Sequence, residues 1–132
     1  EMFLEGYSAQ DADVGTSLQK FCEKMSHPPL PYFFTAPESG SACKRLNMFL
    51  RWMIRPADGV DLGLWKMIPP SKLIIPLDTH LYQFAIKFKL TRRKTPDWKT
   101  AREITDFLKE IDPEDPVKFD FAICHYGMEV GF

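Results

Sequence analysis

The string Pro76–Leu81 (PLDTHL) is the most specific place in this sequence for chemistry. It puts a carboxylate, Asp78, and an imidazole, His80, at the start of an apolar-periodic run. Aspartate in front of such a run is typical of a helix N-cap, because its side chain accepts hydrogen bonds from unpaired backbone N–H groups. A carboxylate can also take part in proton transfer. The residue types therefore allow a structural or a chemical role for Asp78. His80 is either structural or a residue that hydrogen-bonds a phosphate or substrate.

A strong charge asymmetry lies behind the net charge of −1. Residues 1–40 carry two bases and six acids, residues 41–94 carry eleven bases and three acids, and residues 95–132 carry four bases and nine acids. A fold that gathers the central bases on one face would attract a polyanion such as DNA. Acidic flanks packed beside that centre would instead cancel its field, and composition does not decide between the two.

Apolar periodicity predicts an all-α bundle of about five helices in a single domain. The domain divides into an acidic helix and loop over 1–40, a basic core over 41–94 and a C-terminal helix pair over 95–132. Caps and prolines set the expected boundaries. The predicted helices are Val14–Met25 with Asp13 as N-cap, 41–55 ending before Pro56, Asp78–Leu90, one starting with Thr95 and Pro96, and one running from Asp115 and Pro116 to a cap at Gly127.

The predicted helix over 41–55 is amphipathic on a helical wheel. Its apolar face is expected to be buried and consists of Ala42, Leu46, Phe49, Leu50 and Met53. The opposite face is a polar and basic stripe formed by Lys44, Asn47, Arg51 and Arg55. We expect this stripe to contact phosphates, together with a second basic cluster that follows the next helix and consists of Arg92, Arg93 and Lys94.

A long loop separates these two basic groups. Residues 56–76 hold four prolines and two glycines, which allows at most a short helical turn over Leu62–Met67. Connections of this length are uncommon in compact domains and tend to be functional. Trp65 lies on this loop, where an aromatic has few packing reasons to exist, so it is a candidate to wedge beside an extruded base.

The Asp78 string resembles a known hallmark. An apolar stretch followed by Asp-Thr-His at a helix start is similar to the helix-hairpin-helix DNA glycosylases, the endonuclease III superfamily. The resemblance implies that Asp78 is the catalytic carboxylate, which stabilises positive charge on the deoxyribose as the base leaves and activates water or a lysine. An anion fixed in a dry pocket favours such a transition state over the neutral ground state.

A second resemblance covers Ser39–Asn47 (SGSACKRLN), which is similar to the superfamily's hairpin Pro-Gly-Val-Gly-x-Lys-Thr-Ala. Gly40 matches the first glycine, whose backbone faces a DNA phosphate, and Lys44 matches the lysine that attacks the sugar C1′ in bifunctional members. Ala42 replaces the second glycine, and Lys44 lies 34 positions before Asp78, about twice the usual spacing. Lys44 is therefore either a nucleophile or a phosphate-facing member of the stripe.

Over about residues 40–127 the chain more closely resembles an uncharacterised bacterial family known only as a domain of unknown function. The similar strings are RLNMFLRWMIR at 45–55, VDLGLWK at 60–66 and the Asp78 string. This resemblance implies no activity.

Several classes of protein are disfavoured by composition. The three cysteines (Cys22, Cys43 and Cys124) are widely spaced without a C-x-x-C pair, so we expect reduced thiols, no metal site and no cofactor. Neither a membrane-spanning run nor a signal peptide is visible, which predicts a cytoplasmic protein without a membrane partner. The first residue, Glu1, and the apolar end over 130–132 suggest a segment of a longer chain. The oligomeric state is left open.

Together these features predict a DNA-binding protein of DNA glycosylase type that hydrolyses the N-glycosidic bond of a damaged or modified base. Asp78 and Lys44 are the predicted catalytic residues. Two alternatives remain: a nucleic-acid-binding module without catalysis, and a helical protein-interaction domain whose basic centre is paired internally.

Overall fold

The computed structural model describes residues 2–25, 37, 41–57 and 61–130. Within these ranges the chain forms six α-helices and no β-strand. Single 3₁₀ turns lie at Pro70–Lys72 and Pro116–Phe119. The helices are α1 (Met2–Glu5), α2 (Gly15–Met25), α3 (Lys44–Ile54), α4 (Thr79–Lys87), α5 (Trp98–Ile111) and α6 (Asp120–Val130).

A buried, non-helical segment over 73–77 runs through the core. Leu73, Ile74 and Ile75 are at most 1% exposed, so this stretch is covered on all sides. Its backbone still needs hydrogen-bond partners, and the Ile75 N–H donates to Thr105 Oγ1 of α5 at 3.0 Å. The segment delivers the chain directly to Asp78 at the start of α4, which fixes where that carboxylate lies.

The C-terminal half packs around this segment. Helix α4 lies against α6, and α5 packs on the 3₁₀ turn over Pro116–Phe119. The apolar stripe of α5 faces the core at the spacing expected of an amphipathic helix, with Ala101, Ile104 and Leu108 buried. Helices α4, α5 and α6 are thereby held together around the buried segment.

The N-terminal elements are tied to the core by polar contacts. Helix α1 packs on α2. The Val14 N–H donates to the Lys72 carbonyl at 2.9 Å, and Arg102 of α5 donates to Asp13 at 2.9 Å. The Asp13 carboxylate also accepts from the Gly15 N–H at 2.7 Å, which confirms its predicted capping role at the start of α2.

The prediction of an all-α bundle is confirmed, and its helices correspond to α2 through α6. The four-residue α1 was not predicted. Several boundaries were wrong. Helix α3 begins at Lys44 rather than at residue 41, and α4 ends at Lys87 rather than at Leu90. Helix α5 begins at Trp98 with Asp97 as N-cap, because the Asp97 carboxylate accepts from the Thr100 N–H. Helix α6 continues to Val130 rather than ending at Gly127.

The short helical turn that the sequence allowed over Leu62–Met67 does not form, and the nearest helical turn is the 3₁₀ turn at Pro70–Lys72. The last predicted helix does begin at Pro116, but as a 3₁₀ turn that becomes α-helical at Asp120. The proline-rich loop predicted over 27–37 lies almost entirely outside the described residues. None of the helices in the described ranges has the length and apolar character needed to cross a bilayer.

Candidate functional site

Lys44 and Asp78 lie side by side although 34 positions separate them in the sequence. Lys44 Nζ is 4.0 Å from Asp78 Oδ2, and the two side chains are 51% and 22% exposed. Lys44 is the first residue of α3, whereas Asp78 directly precedes α4. The fold thus brings two helix N-termini together and places an ammonium and a carboxylate between them, within reach of solvent.

Asp78 uses its two oxygens differently. Oδ1 accepts from the Leu81 N–H at 2.8 Å, which is the predicted N-cap of α4. Oδ2 is left for the Lys44 ammonium and for the thiol of Cys124, whose Sγ lies 3.6 Å away. The capping role is therefore confirmed, and it leaves one carboxylate oxygen available.

Cys124 comes from α6 and is partly buried. The pKa of its thiol is raised to about 12, first by burial and then by the charge and hydrogen bond of the neighbouring Asp78 carboxylate. At neutral pH the thiol is therefore protonated and donates its hydrogen to Asp78 Oδ2. A neutral thiol is a weak nucleophile, which leaves the Lys44 amine and the Asp78 carboxylate as the candidates for chemistry at this site.

A short, unusual turn positions Lys44. Cys43 adopts a left-handed conformation with φ of 53°, and its N–H donates to Ser41 Oγ at 3.0 Å. Asn47, which is fully buried, donates from Nδ2 to the Ala42 carbonyl at 3.1 Å. These contacts hold residues 41–43 against the first turn of α3 and so fix the backbone that carries Lys44.

Arg51 and Arg55, at the other end of α3, form a buried charge network. Arg51 donates from Nη1 to both oxygens of Asp61 at 2.7 Å, and its Nε lies 2.8 Å from Asp120 Oδ2. Arg55 donates from Nη2 to Asp115 at 2.8 Å and also pairs with Asp61. Two arginines and three aspartates thus join α3 to the loop at 61 and to the region where α6 begins.

The charged groups of this network are stabilised by groups of opposite charge rather than by water. The hydrogen bonds that Arg55 donates to the Asp115 carboxylate raise the pKa of Arg55 above its ordinary value. Burial raises the pKa of Asp120, although the positive charge of Arg51 opposes this shift. Arg51 also lies over the ring of Phe121, 4.1 Å from its centroid. Each charged group is therefore held by several neighbours.

The prediction of an exposed basic stripe on this helix was wrong. Asn47 and Arg51 are 0% and 2% exposed, and the buried face of α3 consists of Asn47, Leu50, Arg51 and Ile54. Phe49, expected inside, is 45% exposed. The wheel assigned charged residues to solvent because it contained no information about Asp61, Asp115 and Asp120. Of the stripe, Lys44 remains available to a ligand.

The other predicted binding residues have different surroundings. Trp65 is partly buried and stacks on Phe3 with centroids 5.8 Å apart, so it has the packing role that the prediction of a free wedge assumed it lacked. The apolar side chains that this loop exposes are Leu62, Leu64 and Met67. His80 is partly exposed in the first turn of α4, two residues after Asp78. Gly40 lies outside the described residues.

The cluster Arg92, Arg93 and Lys94 follows the opposite end of α4 from Asp78, about 13 Å along the helix. Arg92 and Lys94 are exposed. Arg93 instead donates to Thr100 Oγ1 at 2.9 Å and to Asp97 at 2.8 Å, which links it to the start of α5. The cluster therefore offers two of its three cations to solvent.

Sequence reasoning missed Cys124 and the three network aspartates. Nothing in the local sequence pairs Cys124 with Asp78, because the contact depends on how α6 packs on α4. The i, i+4 spacing of Arg51 and Arg55 was a usable signal for two arginines sharing one carboxylate. No cluster of three metal-ligating side chains occurs in the part of the chain that the structure describes.

Comparison with known proteins gives one match. The model of a family described as a protein of unknown function (DUF2400) matches residues 1–129. This confirms the resemblance to an uncharacterised family. No curated protein and no solved structure matches the chain significantly.

Proposed function

The chain belongs to the DUF2400 family, and from the geometry of its own residues we propose that it binds DNA and cleaves an N-glycosidic bond beside Lys44 and Asp78. The observation that carries the proposal is the 4.0 Å approach of Lys44 Nζ to Asp78 Oδ2. The resemblance to the helix-hairpin-helix glycosylases points to the same two residues. Their juxtaposition is the arrangement that the proposed chemistry requires.

Asp78 would act on developing charge. As the bond from C1′ to the base breaks, the base leaves with the electron pair and positive charge builds on the sugar. A carboxylate that is held by the Leu81 N–H and only 22% exposed has a fixed position and limited solvation. Such preorganisation lets it stabilise the transition state more than the neutral ground state.

Lys44 would supply the nucleophile. Its ammonium first loses a proton to solvent. The neutral amine then forms a bond from Nζ to C1′ as the bond from C1′ to the base breaks, and it gives up a second proton, which the departing base takes up. Opening of the sugar ring then yields an imine that water hydrolyses. If water attacks C1′ directly, its hydroxyl stays on the sugar and its proton goes to the base. In both routes Asp78 stabilises the positive charge that develops on the sugar.

Exposed cations of the basic core over 41–94 would supply a DNA-binding surface. Seven of the eleven basic residues in 41–94 are exposed, namely Lys44, Arg45, Lys66, Lys87, Lys89, Arg92 and Lys94. Arg45 is the next residue to Lys44 on α3. Because phosphate contacts release counterions, such a surface gives affinity that falls with salt. The buried arginines do not take part.

A second candidate is a protein-interaction domain, and one observation favours it. An apolar groove of about 500 Å³ lies between α4, α5 and α6. Its walls include Phe88 and Ile111, which are 47% and 62% exposed. The internal pairing of Arg51 and Arg55 also fits this candidate, since it removes two central cations from the surface.

The test is binding to a short duplex with and without a reduced abasic-site analogue, measured by fluorescence anisotropy across a salt series. We expect tighter binding to the abasic duplex and a steep loss of affinity with salt. Lys44→Met should weaken abasic binding, whereas Lys99→Met, which removes an exposed lysine on α5, is the matched control.

Each outcome separates the candidates. Binding in this assay without borohydride trapping on a duplex that contains an aldehydic abasic site indicates a non-catalytic nucleic-acid-binding module. No binding even at low salt overturns both DNA proposals and leaves the protein-interaction domain.

A further inference from the structure

We propose that Cys124 is a positioning residue that holds Asp78 Oδ2 toward Lys44, an inference that rests on the function proposed above. Its Sγ lies 3.6 Å from Asp78 Oδ2, the oxygen that also faces Lys44 Nζ at 4.0 Å. The N-cap bond fixes Oδ1 but does not by itself fix the plane of the carboxylate. The thiol supplies the second fixed point.

Lys44 does not supply that point itself. Its side chain is 51% exposed, and a long solvated side chain at 4.0 Å constrains a carboxylate weakly. Cys124 is partly buried on a helix that packs against α4. Its short side chain has one rotatable bond before the sulfur, so its donor is held in place by the backbone of α6.

Helix α6 also fixes the other half of the pair. Asp120 lies four residues before Cys124 and therefore on the same face of α6. Asp120 pairs with Arg51, two turns after Lys44 on α3. One face of α6 thus contacts α3 through Asp120 and the cap of α4 through Cys124. This arrangement sets the two helix N-termini, and with them Lys44 and Asp78, at a defined separation.

A protonated thiol suits this role because it donates a hydrogen bond without adding charge. Burial keeps the pKa of Cys124 near 12, so the donor persists across the neutral range. A serine at this position retains a donor, whereas an alanine retains none. The comparison of these two variants isolates the hydrogen bond from the packing of the side chain.

The experiment measures borohydride trapping of the chain on a duplex that contains an aldehydic abasic site. Hydride reduces the imine to a stable secondary amine, so the trapped fraction reports imine formation. We expect Cys124→Ala to slow trapping about fivefold with unchanged DNA affinity, and Cys124→Ser to restore most of the rate. Cys22→Ala removes a buried thiol on α2 and is the matched control, expected to trap at the wild-type rate.

A second readout does not depend on DNA. The S–H stretching band of Cys124, identified by its loss in Cys124→Ala, should shift to higher frequency in Asp78→Leu because the carboxylate acceptor is gone. Equal trapping by wild type and Cys124→Ala overturns the positioning role while leaving the proposed function intact. Absence of trapping by every variant, with the band shift present, overturns the proposed function and this inference with it but confirms the hydrogen bond. An unshifted band overturns the contact itself.

Discussion

The two ends of α3 differ in how far their positive charges are buried and paired. At its start, Lys44 is 51% exposed and meets one carboxylate at 4.0 Å. Toward its end, Arg51 is 2% exposed and contacts two aspartates at 2.7 and 2.8 Å. The same helix therefore carries a charge that is locked into the fold and one that remains available to a ligand.

Burial explains the difference. A buried cation needs close carboxylates to offset its lost hydration, and removing one partner leaves an uncompensated charge. An exposed pair contributes little to stability, because water solvates both groups. Charge counted along the sequence cannot separate these cases. Of the stripe predicted on α3, the structural part is the arginine network and the chemically available part is Lys44.

The largest expected effect is the loss of stability on breaking the network. Arg51→Met should lower the free energy of unfolding by about 3–5 kcal/mol, because Asp61 and Asp120 then remain buried without their shared cation. Lys44→Met, the same side-chain exchange for a lysine, should change it by less than about 0.5 kcal/mol. Denaturant unfolding followed by circular dichroism measures both. Equal losses in the two variants would remove the distinction between the ends of α3.

The next effect concerns Asp78, which is both cap and proposed catalyst. Asp78→Ser should preserve stability to within about 0.5 kcal/mol, because serine caps about as well as aspartate. Its rate of imine formation at an abasic site should fall by about 100-fold or more. Thermal melting and borohydride trapping of the same preparation give the two values. Retained trapping would make Asp78 a cap alone.

Local sequence patterns predicted where the helices lie better than which faces of those helices are buried. The capping roles of Asp78 and Asp13 were correct because capping depends on residues within one turn. Thr95 was predicted as the cap because Pro96 follows it, yet the Asp97 carboxylate reaches the Thr100 N–H and sets the start of α5. When two candidate caps lie two residues apart, the backbone geometry decides which side chain caps the helix. The sequence pattern alone does not show that geometry.

The candidate site was predictable only in part. The likeness of the Lys44 and Asp78 strings to one superfamily selected the two residues that the fold brings together. Asn47 and Arg51 were misplaced because a helical wheel sends polar residues to solvent, whereas their partners come from remote parts of the chain. Cys124 could not be found at all, since its contact with Asp78 spans 46 positions.

A third effect probes the coupling at the start of α4. The pKa of Cys124 is about 12, owing to burial and then to Asp78. Asp78→Asn removes the negative charge and keeps the cap, so the midpoint of Cys124 alkylation should move to lower pH while staying above 9.0. Peptide mapping after iodoacetamide treatment at graded pH measures it.

Cys43 is the internal control for that titration. Its thiol pKa is raised to about 11 by burial, without a contribution from Asp78, so its alkylation midpoint should stay the same in Asp78→Asn. A midpoint for Cys124 that does not move would show that the thiol and carboxylate are uncoupled.

The smallest expected effect concerns Arg45, an exposed cation that lies outside both the arginine network and the Lys44–Asp78 pair. Arg45→Ala should weaken binding to all duplexes to a similar extent and reduce the slope of log K against log salt by about one, as loss of a single phosphate contact predicts. Stability should change by less than about 0.5 kcal/mol, because Arg45 is exposed. Anisotropy titrations at several salt concentrations measure the slope, and an unchanged slope would place Arg45 outside the DNA-binding surface.

The most direct test of the central claim is to identify which lysine becomes attached to an abasic-site duplex after borohydride reduction. Digestion and mass spectrometry locate the adduct among the chain's lysines. The account predicts an adduct on Lys44 that disappears in Lys44→Met and is strongly reduced in Asp78→Ser. An adduct on another lysine, or trapping that persists in Lys44→Met, would contradict the assignment of the proposed reaction to this pair.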